Sequence, residues 1–194
     1  MAVPFLGADL LRGELVRLTR PIDADYAEIA RWSLDMEYQR LLRKSMVYPS
    51  NEAETASWLG KVDEYEFAPF SIRTLVEDRL IGFLAIKDIF WQARHCMFFI
   101  SIGLDADRGK GYGTDAVRVM LKYCFWEMNM NRVGLEVMLY NDAARRSYEK
   151  VGFTAEGTLR QLVYRDGVYY DVLLMSMLRP EWEARYGEDS RRRG

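Results

Sequence analysis

The chain has 194 residues and a net charge of −2, with 49% hydrophobic and 29% charged residues. This balance is typical of one globular domain, and we expect a single domain over residues 1–194 with its core between about 14 and 178. No apolar run approaches the roughly 20 residues that span a bilayer, and the slightly acidic charge argues against a nucleic-acid binder.

The first half of the chain predicts a strand, two helices and a hairpin. Glu14–Leu18 alternates apolar and polar residues and predicts the first strand. A helical region begins near Asp23, and Ser50–Phe67 predicts a second helix with Ser50 as its N-cap. Phe70–Val76 and Leu80–Ile89 are β-rich runs joined by a short acidic turn, so they predict a hairpin.

The second half predicts alternating strands and helices followed by a second hairpin. Hydrophobic periodicity gives these elements in order: strand Cys96–Leu104, helix Gly111–Trp126, strand Arg132–Tyr140, helix Asn141–Val151 and strands Phe153–Tyr164 and Val168–Leu178. Asp166-Gly167 is a strong turn signal between the last two strands. Beyond Pro180 we expect a short helix and a frayed charged tail. The fold class is therefore α/β, one mixed sheet with helices on its faces.

Cysteine and histidine usage limits the chemistry. Cys96 and Cys124 lie in apolar segments, and we expect two reduced, buried thiols in a cytoplasmic protein. The opening segment lacks a basic stretch followed by a long apolar run, so we expect no signal peptide. With His95 as the single histidine and no Cys-x-x-Cys pair, we expect no metal site.

The most informative segment is a glycine-rich loop between the predicted strand Cys96–Leu104 and the helix that follows. It reads Arg108-Gly109-Lys110-Gly111-Tyr112-Gly113-Thr114. Three glycines let the backbone approach a ligand closely, and the N-terminus of the helix leaves N–H groups free to bind an anion. Two basic side chains add positive charge, so the loop predicts a phosphate or pyrophosphate site.

Two other phosphate motifs compete with this interpretation. The P-loop pattern fails because Gly111 follows Lys110 where serine or threonine is required. The dinucleotide fingerprint fits Gly111-x-Gly113-x-x-Ala116 more closely, but six residues separate these glycines from the strand and Glu136 does not end its strand. A dinucleotide-dependent oxidoreductase therefore stays open as an alternative function.

Two motifs together resemble one family. Arg108-x-x-Gly111-x-Gly113 resembles the pyrophosphate loop of the GNAT superfamily of N-acetyltransferases. The segment from Asn141 to Phe153 resembles the helix Asn-x-x-Ala-x-x-x-Tyr-x-x-x-Gly-Phe of the same superfamily, and the closing hairpin is similar too. Ribosomal-protein N-terminal acetyltransferases and spermidine acetyltransferases are the most similar branches. The resemblance covers roughly Glu14 to Leu178.

The resemblance implies a GNAT-like fold, a mostly antiparallel sheet splayed between two strands with helices on both faces. It implies acetyl-CoA as cosubstrate, with the pantetheine arm between strands Cys96–Leu104 and Arg132–Tyr140. It also implies a homodimer as one possible assembly. The cofactor-binding residues that it implies are Ser101, Ile102, Gly103, Arg108, Gly109, Lys110, Gly111, Tyr112, Gly113, Thr114, Asn141, Arg145 and Tyr148.

Acetyl transfer to an amine needs a base, an oxyanion donor and an acid for the leaving thiolate. The resemblance makes Tyr148 the candidate acid, and a backbone N–H near Ile102 is the candidate oxyanion donor. Glu136 is the candidate base, with a salt-bridged structural carboxylate as the alternative. His95 begins its strand, where we expect it to be distant from the thioester. Many relatives carry a carboxylate where this chain has Phe98, which leaves a base acting through water open.

The acceptor amine is the least specified part. Acidic residues could attract a cationic acceptor such as a polyamine, an aminoglycoside or a peptide N-terminus, although such charges are more often a solvated face. Those acidic residues are Asp63, Glu64, Glu66, Glu77 and Asp78. Trp58, Phe67, Phe90 and Trp91 could wall a pocket or fill the core. A non-catalytic acyl-CoA-binding protein on the same fold is a further alternative.

Overall fold

A seven-stranded sheet forms the centre of the structure, a computed structural model that describes residues 9–63 and 66–192, with side chains described as far as residue 187. Some residues covered by the sequence predictions lie outside the described residues. They are the opening eight residues, Glu64 and the last two residues of the tail. The strands are β1 (Val16–Thr19), β2 (Phe67–Thr74), β3 (Leu80–Phe90), β4 (His95–Ile102), β5 (Arg132–Met138), β6 (Thr154–Arg165) and β7 (Val168–Leu178).

The order of the strands across the sheet is β1-β2-β3-β4-β5-β7-β6. Every neighbouring pair is antiparallel except β4 and β5, which run parallel. This topology confirms the mixed sheet that the sequence predicts and the mostly antiparallel order that the resemblance implies. A dinucleotide-binding domain would instead need a mostly parallel, doubly wound sheet, so the fold rules out that interpretation of the glycines.

Helices cover both faces of the sheet, as expected. They are α1 (Asp23–Trp32), α2 (Met36–Leu42), α3 (Glu52–Leu59), α4 (Tyr112–Lys122), α5 (Asp142–Val151) and α6 (Arg179–Arg192). The first three pack on one face around Phe83, and α4, α5 and α6 pack on the other face around Phe98 and Phe125. None of the described helices is long and apolar enough to cross a membrane.

The predicted helix Ser50–Phe67 is wrong at both ends. Asn51, not Ser50, is the N-cap of α3, because its side chain accepts from the Glu54 N–H at 2.9 Å while the Glu54 carboxylate accepts from the Asn51 N–H at 2.9 Å. The helix ends at Gly60, and the strand β2 already begins at Phe67. Proline is tolerated in β2 at position 69 because β1 pairs only with Ser71–Thr74, which leaves position 69 without a neighbour on that side.

Helix α2 is not separately predicted by the sequence. It begins where the Asp35 carboxylate accepts hydrogen bonds from the backbone N–H groups of Glu37 and Tyr38, at 2.9 and 3.1 Å. The resulting turn buries the Tyr38 ring, which is 4% exposed, against the sheet. This helix lies beside the site described below, so the sequence prediction lacks one wall of that site.

The C-terminal helix is longer than expected. It extends to Arg192, into the segment that we expected to be frayed. Trp182, which is 2% exposed, packs against the Phe125 ring with a centroid distance of 5.3 Å. Burial of this indole attaches the helix to the core and explains why the chain continues as a helix.

Candidate active site

The sheet opens between β4 and β5. Hydrogen-bonded pairing joins the two strands over three residue pairs only, from His95–Arg132 to Met97–Gly134. Beyond that point β4 stays paired with β3 up to Ile102, and β5 stays paired with β7 up to Met138. The inner edges of Phe98–Ile102 and Leu135–Met138 therefore bound a wedge, and their unpaired backbone groups are available to a ligand. The wedge confirms the predicted splay.

Gly134 closes the base of this wedge. A Cβ atom at this position would lie 2.5 Å from the Met97 sulfur on the neighbouring strand, so any other residue would require the Met97 side chain to move. On the next positions the large Phe98 and Leu135 side chains enter the core. The pairing of the two strands ends at Gly134, and the strands diverge beyond it.

The glycine loop lies at the open end of β4 and runs into α4. Gly109 and Gly111 have φ angles of +74° and +88°, a left-handed backbone that favours glycine. Gly111 is the N-cap of α4 and supplies no capping side chain. Within the described residues, the backbone N–H groups from Gly109 to Thr114 have no hydrogen-bond acceptor. Free N–H groups at a helix N-terminus are an anion-binding arrangement, as the sequence predicted.

Gly113 differs from the other two glycines of the loop. Its backbone is of the ordinary kind, and a Cβ atom there would meet only Ile102, at a normal contact distance of 3.6 Å. The fold itself therefore does not need glycine at this position. The open space next to Gly113 and Ile102 is where a ligand of the loop would come closest to the backbone.

The Arg108 side chain is turned back onto β4. Its Nε donates to the Ile102 carbonyl at 3.3 Å and its Nη2 donates to the Gly103 carbonyl at 3.1 Å. The guanidinium also pairs with Asp105 and lies 5.5 Å from the centre of the Tyr38 ring. Arg108 therefore fixes the end of β4 to the start of the loop, whereas Lys110 is exposed.

Side chains of α1 and α2 also hold the end of β4, on the face of the sheet that these helices cover. The Ser101 and Tyr38 hydroxyls share a hydrogen bond of 2.6 Å. Burial raises the pKa of Tyr38 to about 12, so the phenol stays neutral. A Cβ atom at Gly103 would lie 2.3 Å from the Trp32 ring, and the Gly103 N–H donates to the Ile81 carbonyl at 2.9 Å. The segment 101–103 is thus rigidly placed along the wedge.

Two carboxylates anchor the loop and the helix behind it. Asp107, which is 3% exposed, accepts two hydrogen bonds of 2.8 Å from the Arg79 guanidinium. Asp115, in the first turn of α4, accepts from the backbone N–H groups of Glu14, Leu15 and Val16 at 2.7–3.2 Å. These contacts tie the loop to the residue just before β3 and tie the helix to the start of β1.

Helix α5 carries the second sequence motif. The Asn141 side chain accepts from the Ala144 N–H at 3.2 Å and donates to the Leu41 carbonyl at 3.3 Å, so it caps α5 and links it to α2. Gly152 ends the helix with a φ of +112°, as predicted. Arg145 pairs with Asp142 on the helix surface at 2.8 Å.

Tyr148 lies on α5 beside the wedge. Its ring packs edge-on against Phe98 and Phe153, with centroid distances of 6.0 and 5.9 Å. Burial raises the pKa of Tyr148, so the hydroxyl keeps its proton at neutral pH. The residue is 8% exposed, and no hydrogen bond of its hydroxyl is found within the described residues. A neutral phenol with no partner can donate to a ligand atom in the wedge.

Glu136 lies across the wedge on the opposite face of the sheet. Val133, Leu135 and Val137 face the core that contains Tyr148, and the alternation of the strand turns Glu136 to the side of α1–α3. Its carboxylate forms an ion pair with Lys44, which follows α2. His95 lies at the paired base of β4, with its pKa lowered by burial and then by Arg132.

A cavity of about 780 Å³ lies between α1–α3 and the sheet. Aromatic side chains of the sheet and α3, namely Phe67, Phe83, Phe99 and Trp58, form its apolar walls. Charged residues of both signs line it as well: Glu54, Asp63, Glu66, Arg43 and Lys61. Sequence reasoning identified Trp58, Phe67, Asp63 and Glu66 but missed Arg43 and Phe99, because nothing local indicates that these segments meet.

Some candidates for an acceptor pocket lie elsewhere. Glu77 and Asp78 occupy the turn between β2 and β3, where Asp78 pairs with Arg17 at 2.7 Å. Phe90 and Trp91 are exposed at the far end of β3, at 59% and 43%. These four residues do not line the cavity.

The comparisons with known proteins fit this geometry. The family model for the GNAT acetyltransferase domain matches residues 16–154. The chain belongs to the GNAT acetyltransferase family. A probable N-acetyltransferase of Bacillus subtilis, YjcK, is 38% identical over 64% of this chain and 67% of its own length. A putative ribosomal N-acetyltransferase of the same organism, YdaF, is 37% identical over 39% of this chain and 41% of its own length.

Solved GNAT structures share the fold. The crystal structure of spermidine N-acetyltransferase from Vibrio cholerae in complex with CoA and spermine superposes with a TM-score of 0.77 at 23% identity, over 86% of this chain and 97% of that one. A putative ribosomal N-acetyltransferase and a spermidine N(1)-acetyltransferase are both among the sequence relatives of this chain.

Among residues 9–63 and 66–192, no three His, Cys, Asp or Glu side chains are grouped so that they could hold a metal ion. Cys96 and Cys124 are buried and unbridged, with their sulfur atoms 3.9 Å apart.

The ion pair between Asp107 and Arg79 predicts that the free energy of unfolding falls in acid. Arg79 lowers the pKa of Asp107 below its ordinary value of 3.8, so the ion pair stabilises the fold above that pH and this contribution is lost as the pH falls below it. We expect Asp107→Asn to lower the free energy of unfolding at pH 7 and the difference from wild type to shrink below pH 3.8, measured by urea unfolding. Asp105→Asn, at a side chain that is 83% exposed, is the control. A difference that stays constant with pH would contradict the assignment.

Proposed function

We propose that this chain transfers the acetyl group of acetyl-CoA directly to the primary amine of a small molecule or peptide. The observation that carries the proposal is the wedge between β4 and β5, with unpaired backbone N–H groups of Gly109–Thr114 at its open end. A CoA thioester has a diphosphate and a flexible arm. The loop offers a binding place for the diphosphate, and the wedge offers one for the arm.

The cofactor contacts follow from the positions of the candidate residues. Gly109–Thr114 bind the diphosphate through backbone N–H groups, with the exposed Lys110 adding charge. Backbone groups of Ser101 and Ile102 contact the pantetheine arm, while the Ser101 side chain is occupied by Tyr38. Arg108, Gly103 and Asn141 support the cofactor site through the contacts that position β4 and α5. Arg145 stays a prediction of the resemblance alone.

The chemistry divides between the two faces of the sheet. An amine enters from the side of α1–α3, where Glu136 accepts its proton. The thioester carbonyl lies in the wedge, and a backbone N–H of β4 near Ile102 stabilises the oxyanion. Tyr148, on the other face, donates a proton to the leaving thiolate. The attack is direct, through a ternary complex, so no acetylated enzyme intermediate is needed on this path.

The cavity under α1–α3 is the proposed acceptor pocket. Its volume is within the range of small-ligand sites, and its apolar walls lie beside the strand β4. Three carboxylates and two cations line it, a near balance that suits an amine with an apolar body better than a highly charged polyamine. A cytoplasmic location and a homodimer stay predictions.

Gly113 offers a test of cofactor binding that spares the fold. We expect Gly113→Val to raise the dissociation constant of acetyl-CoA at least about tenfold, because the new side chain fills the space next to the loop amides. Thermal stability without cofactor stays near wild type, since a Cβ atom at this position makes only an ordinary contact. Isothermal titration measures the affinity.

Gly157→Val is the matched control, because a Cβ atom there meets nothing within 4 Å and the position is on β6, away from the loop. Equal affinities in the two variants would contradict the assignment of the loop. NADH, titrated in parallel, should not bind, as the mostly antiparallel sheet predicts, and tight NADH binding would contradict the assignment of the loop to CoA.

Tyr148 offers a test of the chemical step. We expect Tyr148→Phe to lower kcat at least about tenfold with little change in acetyl-CoA affinity, the usual effect of removing a general acid. The assay follows thiol release with a panel of polyamines, aminoglycosides, amino acids and peptide N-termini.

Tyr186→Phe is the control, because Tyr186 donates to the Val151 carbonyl of the same helix at 2.7 Å without lying in the wedge. An unchanged kcat in Tyr148→Phe would remove Tyr148 from the mechanism. Cofactor binding without thiol release from any amine would favour the non-catalytic alternative.

A further inference from the structure

The segment after α2 crosses from one half of the split sheet to the other. Tyr38 attaches α2 to β4 through Ser101, whereas Lys44 reaches Glu136 on β5. The Arg165 guanidinium of β6 donates to the backbone carbonyls of residues 43, 44 and 45 at 2.9, 3.4 and 3.0 Å. Lys44 is therefore held at its backbone by β6 and at its ammonium by β5.

Glu136 lies two residues beyond Gly134, the last residue of β5 that pairs with β4. Its carboxylate is on the face from which an acceptor amine reaches the wedge. The Lys44 ammonium is a primary amine that already occupies the place next to this carboxylate, and the side chain is 40% exposed. The ion pair thus has the arrangement of an acceptor amine bound to the proposed base.

We propose that Lys44 is a self-acetylation site, at which the Nζ atom takes the acetyl group of bound acetyl-CoA when no other acceptor is present. This inference rests on the proposed function, since it uses the same cofactor site and the same base. It identifies a covalent modification of this chain by its own activity.

The step balances without a further reactant. The Lys44 ammonium gives one proton to Glu136, and the neutral amine attacks the thioester carbonyl. The carbon–nitrogen bond forms and the carbon–sulfur bond breaks. Tyr148 gives its proton to the departing thiolate and regains one from solvent. The solvent takes the second proton of the nitrogen. It also takes the proton that Glu136 accepted. The products are acetyl-lysine, the free CoA thiol and one net proton.

The test is incubation of the full chain with acetyl-CoA alone, followed by digestion and quantitative mass spectrometry of each lysine. We expect Lys44 to be acetylated at least about tenfold faster than Lys87 and Lys150, since general-base assistance is worth that much or more. The rate is first order and independent of protein concentration. Glu136→Gln and Gly113→Val slow the modification of Lys44 but leave the reference lysines unchanged.

Lys44→Arg keeps the positive charge while removing the acetylatable amine. We expect this variant to lose the slow thiol release that the wild type shows without acceptor. Acetylation of Lys44 no faster than that of the reference lysines, or unaffected by Glu136→Gln, would overturn the inference.

Thiol release with outside amines, measured on the same preparations, separates the two hypotheses. Amine-dependent release with an unmodified Lys44 contradicts self-acetylation alone. No acetyl-CoA binding and no release with any amine contradict the proposed function as well.

Discussion

The early end of pairing between β4 and β5 is the constraint on which the site depends. Each strand keeps its hydrogen bonds to its outer neighbour, β3 or β7, so the sheet stays intact while the inner edges separate. A parallel ladder that continued past Gly134 would satisfy these backbone groups internally and leave no room for a ligand. The opening therefore leaves unpaired backbone hydrogen-bonding groups on the inner edges of both strands, where a ligand can reach them.

The split also divides the chemistry between two cores. The core under α4 and α5 contains Tyr148 in an apolar setting that keeps its proton on the phenol. The other face carries Glu136, the cavity under α1–α3 and α2. Helix α2 and the segment after it connect the two halves through Tyr38 and Lys44. The proposed acid, Tyr148, and the proposed base, Glu136, thus lie on opposite faces of the sheet.

Local features of the site were predictable from the sequence, and long-range ones were not. The left-handed Gly109 and Gly111, and the helix that Asn141 caps and Gly152 ends, follow from residues within a few positions of each other. By contrast, the contact between Ser101 and Tyr38 spans 63 residues and that between Lys44 and Glu136 spans 92. Periodicity carries no information about such pairs.

The same contrast between local and long-range features explains why the structure differs from the sequence prediction at two places. The helix predicted over Ser50–Phe67 combined a real helix with the start of β2, because apolar residues on both sides of Gly60 continue the pattern. Arg108 has the position in the motif that suggests a phosphate ligand, yet its guanidinium bonds to the carbonyls of Ile102 and Gly103.

The decisive measurement is a crystal structure of the chain with CoA. We expect the diphosphate on the N–H groups of Gly109–Thr114 and the sulfur in the wedge between β4 and β5. CoA bound in the cavity under α1–α3, with the wedge closed, would contradict this expectation.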